Sequence, residues 1–413
     1  MEASRDWSER PRLRPVEAFP VEADGRKVVG LRDPAGFTES VLLIPHQLLD
    51  VVSLLDGQHT VLDIQEAYMR RHGELLFSER LAEIIGMLDE HGFLESPRFA
   101  EHRRRIEETF RRSPIRPAIH AGKAYAGDSE ALQAQLAGFF TPPDGPGPPG
   151  SPSMPSLRAI IAPHIDFHRG GPVYAWAYRE IGERCDADLF VILGTCHAGM
   201  DDPFALTLKD YDTPLGPARA DREFSEALAR RFGEDLLGSE LAHRGEHSIE
   251  FQAVFLKYLL GDRRDFSIVP ILASFLHESI IRGDEPEADP RVPRFFEALA
   301  ETLATARRRA CLVAGADLAH VGPRFGDREP VNVPVLRQLE QEDRAMLEAV
   351  VAGDARGFYR SVAEDEDRRR ICGLSPIYAL LRCLEPSSGR LLKYGQWPDP
   401  QGTVTFASLA FSS

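Results

Sequence analysis

The stretch Leu157-Arg-Ala-Ile-Ile-Ala-Pro163 is a short apolar run that ends in His164, and it sets a pattern that returns later in the chain. A second run, 188–194, is followed shortly by His197. Such runs, each followed by a helical pattern, predict parallel strands of an α/β sheet. Ligands bind beyond the carboxyl ends of strands in open α/β sheets, so we expect these side chains to meet in one crevice.

A third run of the same kind, 310–316, is followed by Asp317 and His320. Strand and helix patterns alternate from residue 157 onward. They predict a layered α/β sandwich. The predicted helices cover 171–183, 221–232, 247–260, 291–308 and 332–351, and further strands cover 266–272, 390–394 and 403–408. The segment 141–156 holds seven prolines and three glycines, which predicts an exposed loop and excludes a helix or a central strand.

Residues 1–112 form a separate domain by pattern. A strand pair is predicted at 27–31 and 40–45, then helices at 47–55, 61–71 and 78–91, then a short strand or wing at 92–95. The third helix places four apolar residues on one face, namely Leu81, Ile84, Ile85 and Leu88. This order predicts a small winged-helix domain.

The composition narrows the class of protein. A net charge of -15 over 413 residues argues against a general nucleic-acid or anionic-membrane binder. No apolar run approaches the roughly 20 residues that a membrane-spanning helix needs, and Met1–Trp7 lacks the apolar core of a secretory signal. Five scattered cysteines do not suggest a disulfide framework, so we expect a reduced, cytoplasmic setting.

Three residues are candidate metal ligands. Neutral imidazole is the commonest protein metal ligand, which favours His164 and His197 at matching strand ends. Cys372 precedes a Leu-Ser-Pro turn that begins an apolar helix, where the helix dipole favours a thiolate. We expect Cys196 to be buried and Cys383 to lie in the core.

Other polar residues near these positions have two possible roles. His320 is a candidate general acid or base, and Asp317 either orients an imidazole or caps a helix. Asp166 is expected to line the crevice after the first strand. Glu246, His247 and Glu250 either line it from the start of a helix, with Glu246 and Glu250 on one face, or simply cap that helix. The sequence around them is not the H-E-x-x-H zinc pattern. The chain also lacks a P-loop, a G-x-S-x-G motif, a C-x-x-C motif and a dinucleotide-binding fingerprint, since its G-x-G-x-x-G spacing at 145–150 lies in the Pro-rich segment and not between a strand and a helix.

The amino-terminal pattern "LLDGQHTVLDIQEAY" followed by a long helix and "GFLES" resembles the PqqD-like winged-helix domains found beside radical-SAM enzymes. The resemblance implies peptide recognition. The alternative is a winged helix that only packs on its neighbour.

The rest of the chain resembles the Memo family (AmmeMemoRadiSam system protein B). The resemblance begins at "HAGKAYAGDSEALQAQLAGFF" and continues through "IIAPHIDF", "ILGTCHAG", "EHSIEFQAVFLKYL", "FSIVPIL", "GADLAHVG" and "ICGLSPI". It implies a fold related to class III extradiol dioxygenases and a radical-SAM or AMMECR-like protein as partner. Fe(II) is the expected metal, with copper or zinc as alternatives. It assigns His164, His197 and Cys372 as ligands and His320 as the acid-base group, and it places His120 and Asp317 near the crevice.

The sequence departs from this family at three motifs. It has Pro-His-Ile-Asp-Phe, Thr-Cys-His-Ala and Cys-Gly-Leu-Ser-Pro where relatives often have Pro-His-Ala-Gly-Tyr, Pro-Ser-His-His and Cys-Gly-Arg-His-Pro. The polarity of the crevice therefore differs. Three functions stay open: a metal-dependent redox enzyme, a peptide- or partner-binding adaptor, and a zinc hydrolase with Asp166 or Glu246 as base.

Overall fold

The computed structural model describes residues 9–23, 25–261, 263–384 and 389–412. The Met1–Trp7 stretch lies outside them. The chain divides into two compact units, Met1–Arg112 and Ser113–Ser413. No helix in the described ranges combines the length and the apolar character needed to cross a bilayer.

In its described residues, the amino-terminal unit combines a three-stranded antiparallel sheet with four α-helices. Its elements are β1 (Glu17–Ala23), β2 (Arg26–Arg32), β3 (Leu42–Pro45), α1 (Leu49–Ser53), α2 (Val61–His72), α3 (Ser78–Glu90) and α4 (Pro97–Arg112). The predicted face of α3 is buried. The helix predicted at 47–55 is shorter, since only 49–53 is α-helical.

Two features of this sheet differ from the sequence prediction. Strand β1 was missed because it contains Pro20 and alternates between half-buried and exposed positions, a pattern that an edge strand tolerates. The strand or wing predicted at 92–95 is reduced to an isolated bridge between Leu13 and Leu94. The winged-helix assignment therefore stays a prediction.

The second unit is built on one eight-stranded mixed sheet. Eight strands form this sheet, namely β5 (Leu157–Ala162), β6 (Leu189–Thr195), β7 (Phe204–Leu206), β9 (Ser267–Ala273), β10 (Ala310–Gly315), β11 (Asp317–Val321), β12 (Gly389–Trp397) and β13 (Thr403–Ser412). The unit also contains β4 (Ile115–Arg116) and β8 (Asp210–Tyr211), which pair with each other in a separate parallel sheet. Its helices are α5 (Ser129–Phe139), α6 (Phe167–Arg184), α7 (Arg222–Phe232), α8 (Glu250–Leu260), α9 (Leu276–Arg282), α10 (Arg291–Thr305), α11 (Val333–Val351), α12 (Ala355–Ala363) and α13 (Leu374–Cys383).

The strand order of the large sheet is β11-β13-β5-β10-β6-β9-β7, with β12 beside β13. Strands β5, β10, β6 and β9 are mutually parallel, as predicted for the apolar runs, whereas β7, β11, β12 and β13 add antiparallel edges. Helices cover both faces, so the predicted layered α/β fold is confirmed.

The two faces of the sheet bury separate apolar layers. In β6, Leu189, Val191 and Leu193 pack on one side with α7, α9, α10, α11, α12 and α13. Phe190 and Ile192 pack on the other side with α5, α6 and α8. A strand that is buried on both faces has a continuous apolar sequence, so these strands could be predicted from the sequence.

One connection contradicts the expected alternation. Strand β10 is followed at once by β11, which pairs antiparallel with β13, instead of by a helix. Asp317 therefore begins a strand, and its proposed helix-capping role is wrong. Strand β11 pairs with residues 403–406, which lie far away along the chain, so no local sequence pattern predicts this pairing.

The Pro-rich segment 141–156 lies against helix α6. The backbone N–H of Gly150 donates to the Glu183 carboxylate at 2.7 Å, and the indole N–H of Trp176 donates to the Asp144 carbonyl at 3.0 Å. These contacts fix a loop without helix or strand to the outer surface of the unit.

Candidate metal centre

The carboxyl ends of three neighbouring strands are in register. Gly315, the last residue of β10, pairs with Ala162 of β5 on one side and with Gly194 of β6 on the other. His164 follows β5, His197 follows β6, and Asp317 follows Gly315. The three strand ends that stand out in the sequence therefore share one edge of the sheet.

Three imidazoles converge at this edge. His164, His197 and His247 each offer one ligand atom, and these atoms all lie within 4.8 Å of one another. The rings of His197 and His247 stack with centroids 4.6 Å apart, and the ring of His164 lies 4.9 Å from that of His197. We call these three residues the histidine cluster. For its third member, His247, the sequence predicted only a position lining the crevice.

The ring orientation leaves one nitrogen of each imidazole available. The Nδ1–H of His164 donates to the Gly315 carbonyl at 2.9 Å. Nδ1 of His197 lies 3.0 Å from Oε1 of Glu246, and Nδ1 of His247 lies 3.4 Å from the same oxygen. Metal-binding histidines are commonly oriented in this way, by a carbonyl or a carboxylate on the second ring nitrogen. Nε2 is then the free donor atom.

Glu246 is a buried carboxylate that organises the turn before α8. Besides His197 it accepts the backbone N–H groups of His247 at 2.8 Å and Ser248 at 2.9 Å. The helix predicted from 247 therefore begins only at Glu250. Glu246 and Glu250 do not share a helix face, because Glu246 belongs to the preceding turn.

Electrostatics keep two of the imidazoles neutral. Burial lowers the pKa of His164 to about 3, and it holds the pKa of His247 well below its ordinary value. Burial also acts on His197, but the Glu246 carboxylate outweighs it and raises the pKa of that residue. The side chain of His197 is 38% exposed, so the cluster is open to solvent on this side. Neutral imidazoles are the form that binds metal.

Cys372 lies just before α13 and contacts one member of the histidine cluster. Its Sγ lies 3.1 Å from Nε2 of His164. The hydroxyl of Thr195 donates to the Cys372 carbonyl at 3.0 Å, and the N–H of Gly373 donates to the Asp317 carbonyl at 3.0 Å, which fixes the segment at the strand ends.

The thiolate expected from the helix terminus is not favoured here without a cation. Loss of hydration raises the pKa of the Cys372 thiol well above its usual range, and the Asp317 carboxylate adds to the effect. A bound cation reverses this balance, because metal binding displaces the thiol proton.

Asp317 and His320 lie on β11 beside the cluster. Asp317 accepts the backbone N–H of His164 at 2.9 Å, and its second oxygen lies 3.7 Å from Nε2 of that residue. It does not orient the ring through Nδ1, since the Gly315 carbonyl has that position. Burial raises the pKa of Asp317 to about 6 and lowers the pKa of His320.

Two predicted crevice residues are directed elsewhere. Asp166 is the N-cap of α6 and accepts the Arg169 Nε–H at 2.6 Å. Glu250 is fully buried and forms an ion pair with Arg116. Each carboxylate is occupied by an arginine, so both act as structural groups.

His120 lies at the margin of the cluster. Its ring centroid is 5.6 Å from that of His247, and its Nε2 lies 3.2 Å from the Gly245 carbonyl. Burial lowers its pKa. Its backbone N–H donates to Glu250 at 3.2 Å, which connects it to the buried ion pair.

Arg116 is the main residue that sequence reasoning missed. It is fully buried and donates from Nε to the His243 carbonyl at 3.0 Å and from Nη2 to the Glu246 carbonyl at 2.6 Å. Tyr125 donates its hydroxyl to Glu250 in the same network. The partners lie more than a hundred positions away along the chain, so the sequence carries no signal for this contact.

Fold and site together define a layered α/β protein with a histidine-rich centre at the ends of its parallel strands. Residues 116–408 match the family described as Memo-like protein. The chain belongs to the Memo family.

Several relatives are similar over most of their length. A MEMO1 family protein of Aquifex aeolicus is 27% identical over 401 residues, which covers 96% of this chain and 99% of the relative. MEMO1 family proteins of Methanopyrus kandleri and Methanothermobacter thermautotrophicus are 29% and 30% identical and cover 71% and 70% of this chain and 98% and 95% of their own. The Aquifex alignment is long enough to extend through most of the amino-terminal unit as well.

Proposed function

We propose that this Memo-family protein is a non-heme metal-dependent redox enzyme of the oxygenase type, in which His164, His197 and Cys372 hold Fe(II). One observation carries the proposal: the imidazoles of His164 and His197 converge from two strand ends, and the Sγ of Cys372 lies 3.1 Å from Nε2 of His164. The orientation of both rings by fixed acceptors supports it further, since a solvated histidine needs no such support.

The donor spacing fits a first-row metal. Metal–nitrogen and metal–sulfur bonds of about 2.1 and 2.3 Å at a tetrahedral angle put the two donor atoms about 3.6 Å apart. The Sγ of Cys372 lies 3.1 Å from Nε2 of His164, and the ligand atoms of the histidine cluster lie within 4.8 Å. Among the described residues, the group of ligand atoms within 4.8 Å contains His247 and not Cys372, so the proposed ligand set requires the Cys372 side chain to move toward His197 when the metal binds.

The donor chemistry favours a redox metal. A thiolate with imidazoles suits Fe(II) or copper, and zinc is the redox-inactive alternative. When bound, such an ion supplies a site at which O₂ or a chelating substrate is activated. His247 is the alternative third ligand, because it shares Glu246 with His197 and belongs to the same group of ligand atoms.

We assign proton transfer to residues on β11. His320 is the proposed acid-base group, held by the contact of its Nδ1 with the Leu318 carbonyl at 3.1 Å. Asp317 accepts the backbone N–H of His164, and its charge raises the pKa of His320 against the effect of burial. A carboxyl with a pKa of about 6 can hold or release a proton near neutral pH.

The proposed partners are a radical-SAM or AMMECR-like protein and a peptide docked on the amino-terminal unit. The support for docking is apolar exposure on that unit. Phe77 is 67% exposed and Leu62 is 74% exposed. Other large apolar side chains of the unit are also exposed, namely Val41, Leu43, Met69 and Leu75.

The same exposure favours a second candidate function, a non-catalytic adaptor that binds a peptide or partner. The zinc-hydrolase alternative is less favoured, because both proposed bases are engaged. Asp166 is paired with Arg169, and Glu246 accepts hydrogen bonds from His197 and the turn that follows.

Metal analysis of protein purified without oxygen tests the proposal. We expect one iron per chain, lost in His164→Ala and in Cys372→Ala but kept in the matched controls His168→Ala, an exposed histidine of α6, and Cys383→Ala at the end of α13. If both ligand variants keep stoichiometric iron, the proposed centre is wrong. If the wild-type protein binds no redox metal yet captures a peptide partner, the adaptor function replaces it.

A further inference from the structure

The segment that leads into Cys372 has an unusual backbone. Glu366, Asp367 and Arg370 have φ angles of 55°, 51° and 52°, in the left-handed region that residues with a side chain rarely occupy. In the described part of the chain, no other non-glycine residue has a positive φ. Such conformations persist only where the surrounding contacts hold them, and they are concentrated near functional sites.

The end of this segment is hydrogen-bonded along strand β11. The backbone N–H of His320 donates to the Arg369 carbonyl at 2.7 Å. The backbone N–H of Gly373 donates to the Asp317 carbonyl at 3.0 Å. Cys372 lies between these two attachment points. The proposed metal ligand Cys372 and the proposed acid-base group His320 are therefore joined through a short stretch of backbone.

The side chain of Arg370 reinforces this attachment. Its Nη1 donates to the His320 carbonyl at 3.2 Å, and its Nη2 donates to Oδ1 of Asp327 at 2.6 Å. Oδ2 of Asp327 accepts the backbone N–H of Gly322, directly after β11, at 2.7 Å. The guanidinium therefore holds β11 at His320 and, through Asp327, at its carboxyl end.

An arginine at position 370 needs an explanation, because glycine would adopt the left-handed backbone there without steric cost. The contacts of the guanidinium with β11 offset that cost. Glu366 provides the contrast, since it has nearly the same φ but an exposed side chain. Comparison of the two positions separates the effect of the backbone conformation from the effect of the side chain.

We propose that Arg370 is a positioning residue that couples the placement of Cys372 to the placement of His320. The consequence at the metal rests on the proposed function, in which Cys372 moves toward His197 when the metal binds. Because residues 369 and 373 are both bonded to β11, such a movement is transmitted to His320. Metal binding then orders the acid-base group together with the ligand.

Hydrogen exchange of the metal-free, full-length protein, resolved to single amides, tests the attachment. Arg370→Asn removes the guanidinium, and asparagine still adopts the left-handed backbone. We expect the amides of His320 and Gly373 to exchange at least about fivefold faster than in the wild type, because a charged hydrogen-bond donor is lost. The matched control Glu366→Asn introduces the same residue at nearly the same φ, and we expect it to leave both rates unchanged.

Cobalt(II) tests the coupling to the metal. In the wild type we expect saturating cobalt(II) to slow the exchange of the His320 amide at least about threefold, and in Arg370→Asn we expect no such effect. Arg370→Asn should also bind cobalt(II) about tenfold more weakly, as is typical when a group that orients a ligand is lost. Urea unfolding verifies that each variant is folded. Asp327→Asn removes the same ion pair from the other side, and it replaces Arg370→Asn in both measurements if that variant does not fold.

Three results would overturn the proposal. They are wild-type exchange of both amides in Arg370→Asn, equal acceleration of both amides in Glu366→Asn, and binding of cobalt(II) by the wild type without any change at the His320 amide. A wild-type protein that binds no metal contradicts the proposed function instead. The exchange rates of the metal-free variants then still decide whether Arg370 positions β11.

Discussion

Replacement of Glu246 by glutamine tests whether the carboxylate positions the imidazole of His197, because glutamine keeps the shape of the side chain and removes its charge. The carboxylate accepts hydrogen bonds at both oxygens, from the backbone N–H of His197 at 2.9 Å and from the Nδ1 of the same residue at 3.0 Å. In Glu246→Gln one of these oxygens becomes an NH₂ group. Whichever way the amide is placed, one donor then faces another donor.

The size of the effect follows from these contacts. A buried donor left without an acceptor costs about 1–3 kcal/mol. Loss of a group that orients a metal-binding histidine typically weakens metal binding by about 10–100-fold, which corresponds to about 1.4–2.8 kcal/mol. Glu246 contacts His197 and approaches His247 as well, so we expect the upper part of this range.

The assay is an anaerobic Fe(II) titration against a competing chelator, with circular dichroism to verify folding. The matched control is Asp166→Asn, which also neutralises a carboxylate but at a helix cap directed toward Arg169. We expect the control to change the metal affinity less than twofold and to lose less than about 1 kcal/mol of stability, because asparagine caps a helix about as well as aspartate and a half-exposed ion pair contributes little. A folded Glu246→Gln protein with wild-type affinity would refute the positioning role.

Three further predictions concern the structure around the centre. Arg116→Met should lower the free energy of unfolding in urea by about 3–5 kcal/mol, because it leaves Glu250 buried and unpaired, and a loss under 1 kcal/mol would contradict this. Gly315→Ala places a Cβ 2.4 Å from the Ser248 carbonyl oxygen, so we expect a loss of about 1–3 kcal/mol and weaker iron binding in the same titration; an unchanged affinity would contradict the packing argument. Burial lowers the pKa of His243 from 6.5 to about 3, so its contribution to stability is present above pH 6.5 and is lost as the pH falls toward 3. His243→Gln should therefore reduce the fall in unfolding free energy between pH 6.5 and 5 by about 2 kcal/mol, and an identical pH slope in variant and wild type would contradict it.

The sheet and the strand-end residues were predictable because their signals are local. Buried parallel strands are continuous apolar runs, and the topology of α/β sheets brings their carboxyl ends together. His164, His197 and Asp317 follow from these two facts alone. Cys372 also follows, since its nearness to a helix start can be read from the turn that precedes α13.

The remainder of the site depends on contacts that no local pattern contains. The Gly315 carbonyl orients His164 from 151 positions away, and the Arg116 guanidinium reaches the Glu246 carbonyl across 130 positions. The position of His247 was predicted less accurately, because a helix was expected to begin there and α8 begins only at Glu250. The Glu246 carboxylate instead accepts hydrogen bonds from the backbone N–H groups of a turn.

The protonation state of Cys372 could not be predicted from the start of helix α13 alone. A helix start alone favours a thiolate. The folded chain surrounds this sulfur with residues that exclude water and places the Asp317 carboxylate near it, and both raise the thiol pKa. The free-energy cost of burying a thiolate depends on the residues that surround it in three dimensions, and these residues are not its neighbours in the sequence.

The most direct test of the central claim is the absorption spectrum of the protein loaded with cobalt(II) in place of the native metal. The proposed donor set contains a thiolate, so we expect an intense sulfur-to-metal charge-transfer band that is absent in Cys372→Ser and kept in His247→Ala. A cobalt spectrum without that band, or one that His247→Ala abolishes and Cys372→Ser leaves unchanged, would show that the centre is built from imidazoles alone and would contradict the proposed ligand set.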